Sequence, residues 1–200
     1  MYLIQDEFYH VYNRGNQQKP IFFNQNNYLF FIKKIRDQLL PCADIICYCL
    51  MPNHFHLLIK ANERSIKERI SFGGKPMQEF AYRTGILLSS YSQAINKQQK
   101  TTGSLFQQKT KAKILSETVR GKKQSYLENC FFYIHNNPVA ASLVKELADW
   151  SYSSYPDYVG IRNGSLCNKE IFLNLVDLEL TDIKRRLLEN VSAQIIERLY

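Results

Sequence analysis

Two histidines separated by a single residue are the first candidates for chemistry. His54 and His56 flank Phe55 at the start of an apolar stretch. Side chains alternate along a β-strand, so on a strand both imidazoles would project from one face and Phe55 from the other. Neutral imidazoles bind divalent metals, and two of them can form half of a metal site. A structural or exposed pair is the alternative, but the chain has only four histidines, which favours ligands.

Tyr133 and Asn137 form a second candidate group within the sequence YIHNNP. They are four residues apart, so one face of a helix would present a phenol and an amide oxygen together. An amide oxygen is a ligand suited to Mg²⁺ or Mn²⁺, and two imidazoles with one amide leave coordination positions open for a phosphate. The alternative is that Tyr133, one of 13 tyrosines, packs in the core and that Asn137 only caps the helix.

Positive charge is concentrated in one segment. The net charge of the chain is +8, and residues 97–123 carry eight Lys and Arg against Glu117 alone, a local net charge of +7. Such clustering attracts the phosphate backbone of nucleic acid through counterion release, although a solvated lysine-rich surface is the alternative. We expect the following side chains to contact nucleic acid: Arg14, Lys97, Lys109, Lys111, Lys113, Lys122 and Lys123.

The elements that must position these residues are indicated by hydrophobic periodicity, caps and turn residues. In chain order they are a strand over 8–13, a helix between the Asn24 cap and Pro41, a hairpin over 44–60 around Met51-Pro52-Asn53, a helix over 77–97, a strand within 104–115 with Lys109, Lys111 and Lys113 on one face, a helix over 125–136 halted by Pro138, and an amphipathic C-terminal helix over 183–199. This order predicts an α+β fold: an antiparallel sheet with helices packed mainly on one face, in a ferredoxin-like arrangement, plus a C-terminal helical extension.

Five stretches occur in a specific order along the chain. They are YHVYNRG (9–15), YCLMPNHFHLLI (48–59), GSLFQQKTK (103–111), YIHNNPV (133–139) and WSYSSY (150–155). Together they resemble the REP-associated tyrosine transposases, a group of the HUH single-tyrosine transposases. The resemblance implies an HUH-type catalytic domain over residues 1–160. Residues 161–200 have no counterpart in it, and their amphipathic pattern predicts a helical extension packed on the same domain.

The resemblance also implies an activity and a role for each candidate residue. Tyr133 would be the nucleophile, and His54, His56 and Asn137 would hold Mg²⁺ or Mn²⁺. The implied substrate is single-stranded DNA next to an imperfect palindromic hairpin. Cleavage would leave a 5′-phosphotyrosine and a free 3′-hydroxyl, and rejoining would transfer the strand.

Composition indicates in which compartment the protein would act and with which partners. The five cysteines are an odd number without a CxxC pair, which is typical of reduced thiols in a cytoplasmic protein. No apolar stretch approaches the roughly 20 residues that span a bilayer, so we expect no membrane partner. We expect a monomer or a homodimer.

Two other functions compete with this one. A non-catalytic protein that binds hairpin DNA or RNA could use the same basic and aromatic residues, but it would need neither the histidine pair nor Tyr133. A hydrolase or transferase with a histidine nucleophile would need a third histidine at the position of Leu58.

Overall fold

Four antiparallel strands form the central sheet, in the order β2-β3-β1-β6. The structure is a computed structural model that describes residues 1–71, 73–115, 123–176 and 183, with the backbone alone for 123–125. The strands are β1 (Phe8–Arg14), β2 (Ala43–Met51), β3 (His54–Ala61), β4 (Glu68–Ile70), β5 (Pro76–Gln78) and β6 (Lys111–Ile114). The helices are α1 (Gln25–Gln38), α2 (Glu63–Ile66), α3 (Glu79–Gln99), α4 (Lys123–Ala140), α5 (Tyr155–Tyr158) and α6 (Lys169–Val176).

The sheet and its two crossover helices have the order β1-α1-β2-β3-α3-β6, a ferredoxin-like arrangement. The α+β class and the antiparallel sheet are therefore confirmed. Local signals set the first elements. Asn24 caps α1 by accepting a hydrogen bond from the Asn27 backbone N–H at 3.1 Å. Between β2 and β3 the turn has only two residues, Pro52 and Asn53, as the hairpin pattern predicts.

Helices cover both faces of the sheet, and here the structure differs from the expectation of one main helical face. Val11 and Leu57 lie in a core with residues of α1 and α3, as expected. On the other face, Ile46, Cys49 and Leu58 lie in a second core with residues of α4 and α6. The reason is that β2 is apolar on both sides and Leu58 of β3 adds to its second side, so both sides must be buried.

Helix α4 continues through Pro138 to Ala140, so the prediction that Pro138 halts the helix at 136 was wrong. A proline removes one backbone donor, whereas the residues after it can still take helical dihedral angles. The helix ends shortly afterwards, where Ser142 adopts a positive φ of 55°. This extension keeps Asn137 inside the helix, one turn after Tyr133.

The segment after α4 lies along the outer edge of β2. Trp150 donates from Nε1 to the Leu50 carbonyl at 3.1 Å, and the Tyr48 backbone N–H donates to the Ser154 hydroxyl at 2.9 Å. Asp157, which is buried, then binds Arg162 through both of its carboxylate oxygens at 2.7 Å. The WSYSSY stretch is thereby assigned a structural role, which is to cover an edge strand that would otherwise expose unpaired backbone groups.

The C-terminal helix predicted over 183–199 lies outside the described residues, apart from Ile183, which is buried in the second core. Among the residues that the structure describes, no helix is both long enough and apolar enough to cross a bilayer.

Candidate functional site

A row of polar and charged side chains occupies one face of three adjacent strands. Along β1, alternation places His10, Tyr12 and Arg14 on the same side. Pairing across the strands sets Arg14 opposite His54 and Tyr12 opposite His56. On the far side of β1, Lys111 pairs with Tyr12 and Lys113 with His10. The antiparallel register therefore gathers residues that are far apart in the sequence.

His54 is oriented by its neighbour in the hairpin turn. Its Nδ1 lies 2.6 Å from Oδ1 of Asn53. An amide oxygen only accepts, so the His54 proton belongs on Nδ1, and this leaves Nε2 as a lone-pair donor. That Nε2 atom is buried and has no hydrogen-bond partner. Asn53 is itself fixed, because its Nδ2 donates to the Gln18 carbonyl at 3.1 Å.

His56 has a comparable arrangement with a different partner. Its Nδ1 lies 2.8 Å from Nε2 of His10, and both side chains are almost completely buried. The His56 Nε2 is a second buried nitrogen without a hydrogen-bond partner. The rings of His54 and His56 are 4.9 Å apart between centroids and nearly perpendicular. Two open imidazole nitrogens thus occur on adjacent side chains of one strand face.

Burial keeps these imidazoles neutral. It lowers the pKa of His54 to about 4, the positive charge of Arg14 acts in the same direction, and the Asn137 side chain opposes the shift. Burial also lowers the pKa of His56 well below its ordinary value, and His10, His54 and Arg14 add to this effect. The neutral form is the one that coordinates metals, so both rings are in a ligand-competent state at pH 7.

Helix α4 brings Tyr133 and Asn137 over the histidines. The Tyr133 ring meets the His56 ring edge-on at 5.5 Å between centroids and the His10 ring at 6.0 Å. The Tyr133 side chain is 5% exposed. Asn137 donates from Nδ2 to the Tyr133 carbonyl at 2.8 Å. Its Nδ2 is thereby engaged within the helix, and its Oδ1 is the candidate ligand atom.

The donor set fits a hard divalent ion with an incomplete protein shell. Within the described parts of the chain, no group of three or more His, Cys, Asp or Glu is placed to hold a metal. The candidate ligands are instead two imidazoles and one amide oxygen, and the two buried, unpartnered Nε2 atoms of His54 and His56 are the observation that fits a metal.

The predicted nucleic-acid residues fall into separate groups. Arg14, Lys111 and Lys113 share the face of the histidines, whereas Lys109 is exposed in the segment before β6. Lys97 lies on α3, which packs on the opposite face of the sheet. Lys122 lies outside the described residues, and so does the side chain of Lys123.

His10 is the site residue that the sequence analysis missed. A signal was present, because His10 is one of only four histidines and lies within the strand predicted over 8–13. What the sequence could not show is that β1 lies beside β3. This pairing is non-local and brings His10 against His56.

The ferredoxin-like fold of this chain corresponds to a known architecture. A comparison with solved structures matches the chain to a REP-associated tyrosine transposase bound to a REP hairpin. The TM-score is 0.56, the match covers 80% of this chain and 83% of that chain, and the sequence identity is 18%. This likeness establishes the fold and confirms the resemblance at that level. No protein-family model matches the chain, and no curated protein matches it significantly.

Proposed function

We propose that this chain is a metal-dependent single-stranded DNA endonuclease and strand transferase with Tyr133 as its nucleophile. The observation that supports this most is the pair of buried, unpartnered Nε2 atoms of His54 and His56 next to the Tyr133 ring. Burying an imidazole nitrogen without a partner is costly. Nδ1 of His10 and Nδ1 of His135 are buried in the same way, so it is the adjacency of the His54 and His56 rings on one strand face that favours a ligand role for them.

Under this proposal, His54, His56 and Asn137 would hold Mg²⁺ or Mn²⁺. When bound there, the ion would supply Lewis-acid polarisation of a non-bridging phosphate oxygen. Arg14 would hold the same phosphate by its charge, because it lies opposite His54 on the adjacent strand. These groups are needed because a phenol, whose ordinary pKa is about 10, is a weak nucleophile near neutral pH.

The Tyr133 side chain would carry the covalent step. Its oxygen forms a bond to phosphorus while the bond from phosphorus to the 3′-oxygen breaks. The phenol loses its proton and the departing 3′-oxygen gains one, so a 5′-phosphotyrosine and a 3′-hydroxyl result. One phosphate ester replaces another, so a 3′-hydroxyl can reverse the reaction and join strands without ATP. The 5′ polarity is taken from the family resemblance.

The proposed substrate is single-stranded DNA beside an imperfect palindromic hairpin. It is supported by the fold match to a protein whose structure contains a REP hairpin. Lys111 and Lys113 extend the positive charge of Arg14 along the same sheet face, where a strand of DNA could follow them. The further candidate contacts stay those predicted from the sequence: Lys97, Lys109, Lys122 and Lys123.

One observation favours the alternative, a non-catalytic protein that binds hairpin DNA or RNA. The hydroxyl oxygen of Tyr133 is covered in the structure. Attack on a phosphate therefore requires the groups that cover this oxygen to move when DNA binds. A protein that only binds DNA would need no such movement.

Covalent trapping distinguishes the two functions. The protein is incubated with Mn²⁺ and a labelled hairpin oligonucleotide whose short released end diffuses away, and a denaturant-resistant adduct is sought. We expect the adduct with the wild-type chain and with Tyr126→Phe, a control one heptad earlier on α4. Tyr133→Phe should bind the hairpin but give no adduct.

The other possible results of this experiment would each support a different function. Cleavage without an adduct, retained in Tyr133→Phe, would make water the nucleophile and the chain a hydrolase. Binding without cleavage by the wild-type chain would support the non-catalytic alternative. His54→Ala and His56→Ala should weaken metal binding, with part of the cleavage restored at high Mn²⁺.

A further inference from the structure

His10 lies at the centre of β1 and makes a direct contact with a candidate metal ligand. Its Nε2 atom is 2.8 Å from Nδ1 of His56. The two rings are stacked, with centroids 5.0 Å apart and planes 28° apart. His10 is 1% exposed, so water does not compete for this contact.

Strand register fixes this contact. On β3, the residue opposite His10 is Leu58, and the residue opposite Tyr12 is His56. His10 and His56 are thus diagonal neighbours on one face of an antiparallel pair, within reach of long or aromatic side chains. The backbone pairing of β1 and β3 holds both Cα atoms, so the two side chains start from fixed neighbouring positions on this face.

The proton on His56 determines what its ring can do. A neutral imidazole carries one N–H, and its other nitrogen has the lone pair that binds a metal. If the proton is on Nδ1, it is donated to His10, and Nε2 of His56 is available. If His10 donates instead, His56 carries its proton on Nε2. Each arrangement leaves one buried N–H without an acceptor, on His10 Nδ1 in the first case and on His56 Nε2 in the second, and only the first leaves His56 a lone pair for a metal.

The two ring nitrogens of His54 are arranged in the same way, and the partner of its Nδ1 can only accept a hydrogen bond. Asn53 Oδ1 can only accept, so it directs the His54 proton to Nδ1 and leaves Nε2 open. Both imidazoles therefore have Nδ1 engaged and Nε2 unpartnered. Residues that only filled space behind His56 would not reproduce this pattern.

We propose that His10 is a positioning residue that accepts the hydrogen bond from Nδ1–H of His56 and so holds this ring in its metal-binding tautomer. The purpose of this role rests on the proposed function, but the hydrogen bond itself can be tested in the protein without metal. His10 is not assigned any contact with DNA or with the reacting atoms.

Two variants separate hydrogen bonding from packing. His10→Phe keeps a ring of similar size but has no acceptor, whereas the side-chain oxygen of His10→Gln can replace the His10 Nε2 as an acceptor. Long-range ¹H–¹⁵N NMR of the metal-free chain reports which nitrogen of His56 is protonated. We expect Nδ1 to be protonated in the wild type and in His10→Gln, with a shift towards the Nε2–H form in His10→Phe.

Mn²⁺ affinity, measured by calorimetry, gives the second result. Loss of a partner behind a metal ligand lowers affinity by about 10- to 100-fold, so His10→Phe should bind Mn²⁺ that much more weakly, and His10→Gln should largely restore binding. A wild-type His56 protonated on Nε2 would overturn the proposal. So would a folded His10→Phe variant with wild-type Mn²⁺ affinity.

The failure of the proposed function gives a different pattern. If the wild-type chain binds no Mn²⁺, the metal-dependent activity is refuted. The NMR result still decides whether His10 accepts from His56. If His10→Phe does not fold, the wild-type tautomer and the His10→Gln affinity remain decisive, because a purely structural role predicts no preference for Nδ1–H.

Discussion

Gly15, at the end of β1, occupies a position where the chain has no room for a side chain. Its backbone φ of −63° is ordinary, so the constraint is space and not conformation. A Cβ atom added there would lie 2.1 Å from the Lys19 carbonyl oxygen and 3.1 Å from a methyl group of Ile21. The Lys19 oxygen belongs to the backbone, so Gly15→Ala must displace the chain between residues 15 and 19.

The expected loss of stability follows from that displacement. Relieving the contact requires a backbone shift of about 1 Å, and overpacking of this kind costs about 1–3 kcal/mol. The shift also strains the hydrogen bond from the Gly15 N–H to the Asn53 carbonyl, now 2.8 Å long, which adds about 1 kcal/mol. We expect Gly15→Ala to lower the free energy of unfolding by about 2–4 kcal/mol, measured by urea titration.

Gly85 provides a matched control for the same substitution. It lies within α3, is exposed, and no atom stands within 4 Å of the position of an added Cβ. Alanine is favoured over glycine inside a helix by about 0.5–1 kcal/mol, so Gly85→Ala should stabilise the chain. The two alanine substitutions should therefore act in opposite directions. If Gly15→Ala unfolds at the wild-type urea concentration, the packing described around β1 is incorrect.

Three further perturbations test other parts of the structure. Lys111→Ala should flatten the slope of log DNA affinity against log salt by about 0.7, the value for one single-strand phosphate contact, whereas Lys33→Ala on α1 should leave it unchanged. Asp157→Asn should lower the free energy of unfolding, measured by urea titration, by about 2–3 kcal/mol, because it removes a buried carboxylate that binds an arginine. Asp37→Asn breaks only an exposed pair and should cost less than about 1 kcal/mol in the same titration. Burial raises the pKa of the Cys42 thiol to about 12 from its ordinary 9, so at pH 8 only about one Cys42 thiol in ten thousand is ionised. The four buried cysteines, Cys42, Cys47, Cys49 and Cys130, should therefore react with a thiol reagent only after unfolding, and fast labelling of any of these four in the native chain would contradict their burial.

Elements with a local cause could be predicted from the sequence. The Asn24 cap and the two-residue turn at Pro52-Asn53 act within a few residues of the chain, and both were confirmed in the structure. The placement of His54 and His56 on one face also followed from strand alternation alone. These features depend on spacing along the chain, which a sequence displays directly.

Features with a non-local cause could not be predicted in the same way. The second helical layer had a partial signal, because Ile46 and Cys47 are apolar neighbours within a strand that is buried on both faces. Nothing in the sequence showed which helix would cover that face. The contact between His10 and His56 needed the strand order, which comes from pairing across 46 positions of the chain.

The two faces of β3 explain why the site and the fold depend on each other. Phe55 and Leu57 hold the first core, while His54 and His56 alternate with them on the opposite side. A shift of one residue in the pairing would exchange these sets and bury the imidazoles among α1 and α3. The hydrophobic core therefore specifies the direction in which the histidines project. Because those histidines stand on a central strand paired on both sides, their geometry is held by the sheet, and α4 supplies the tyrosine that would have to move towards DNA.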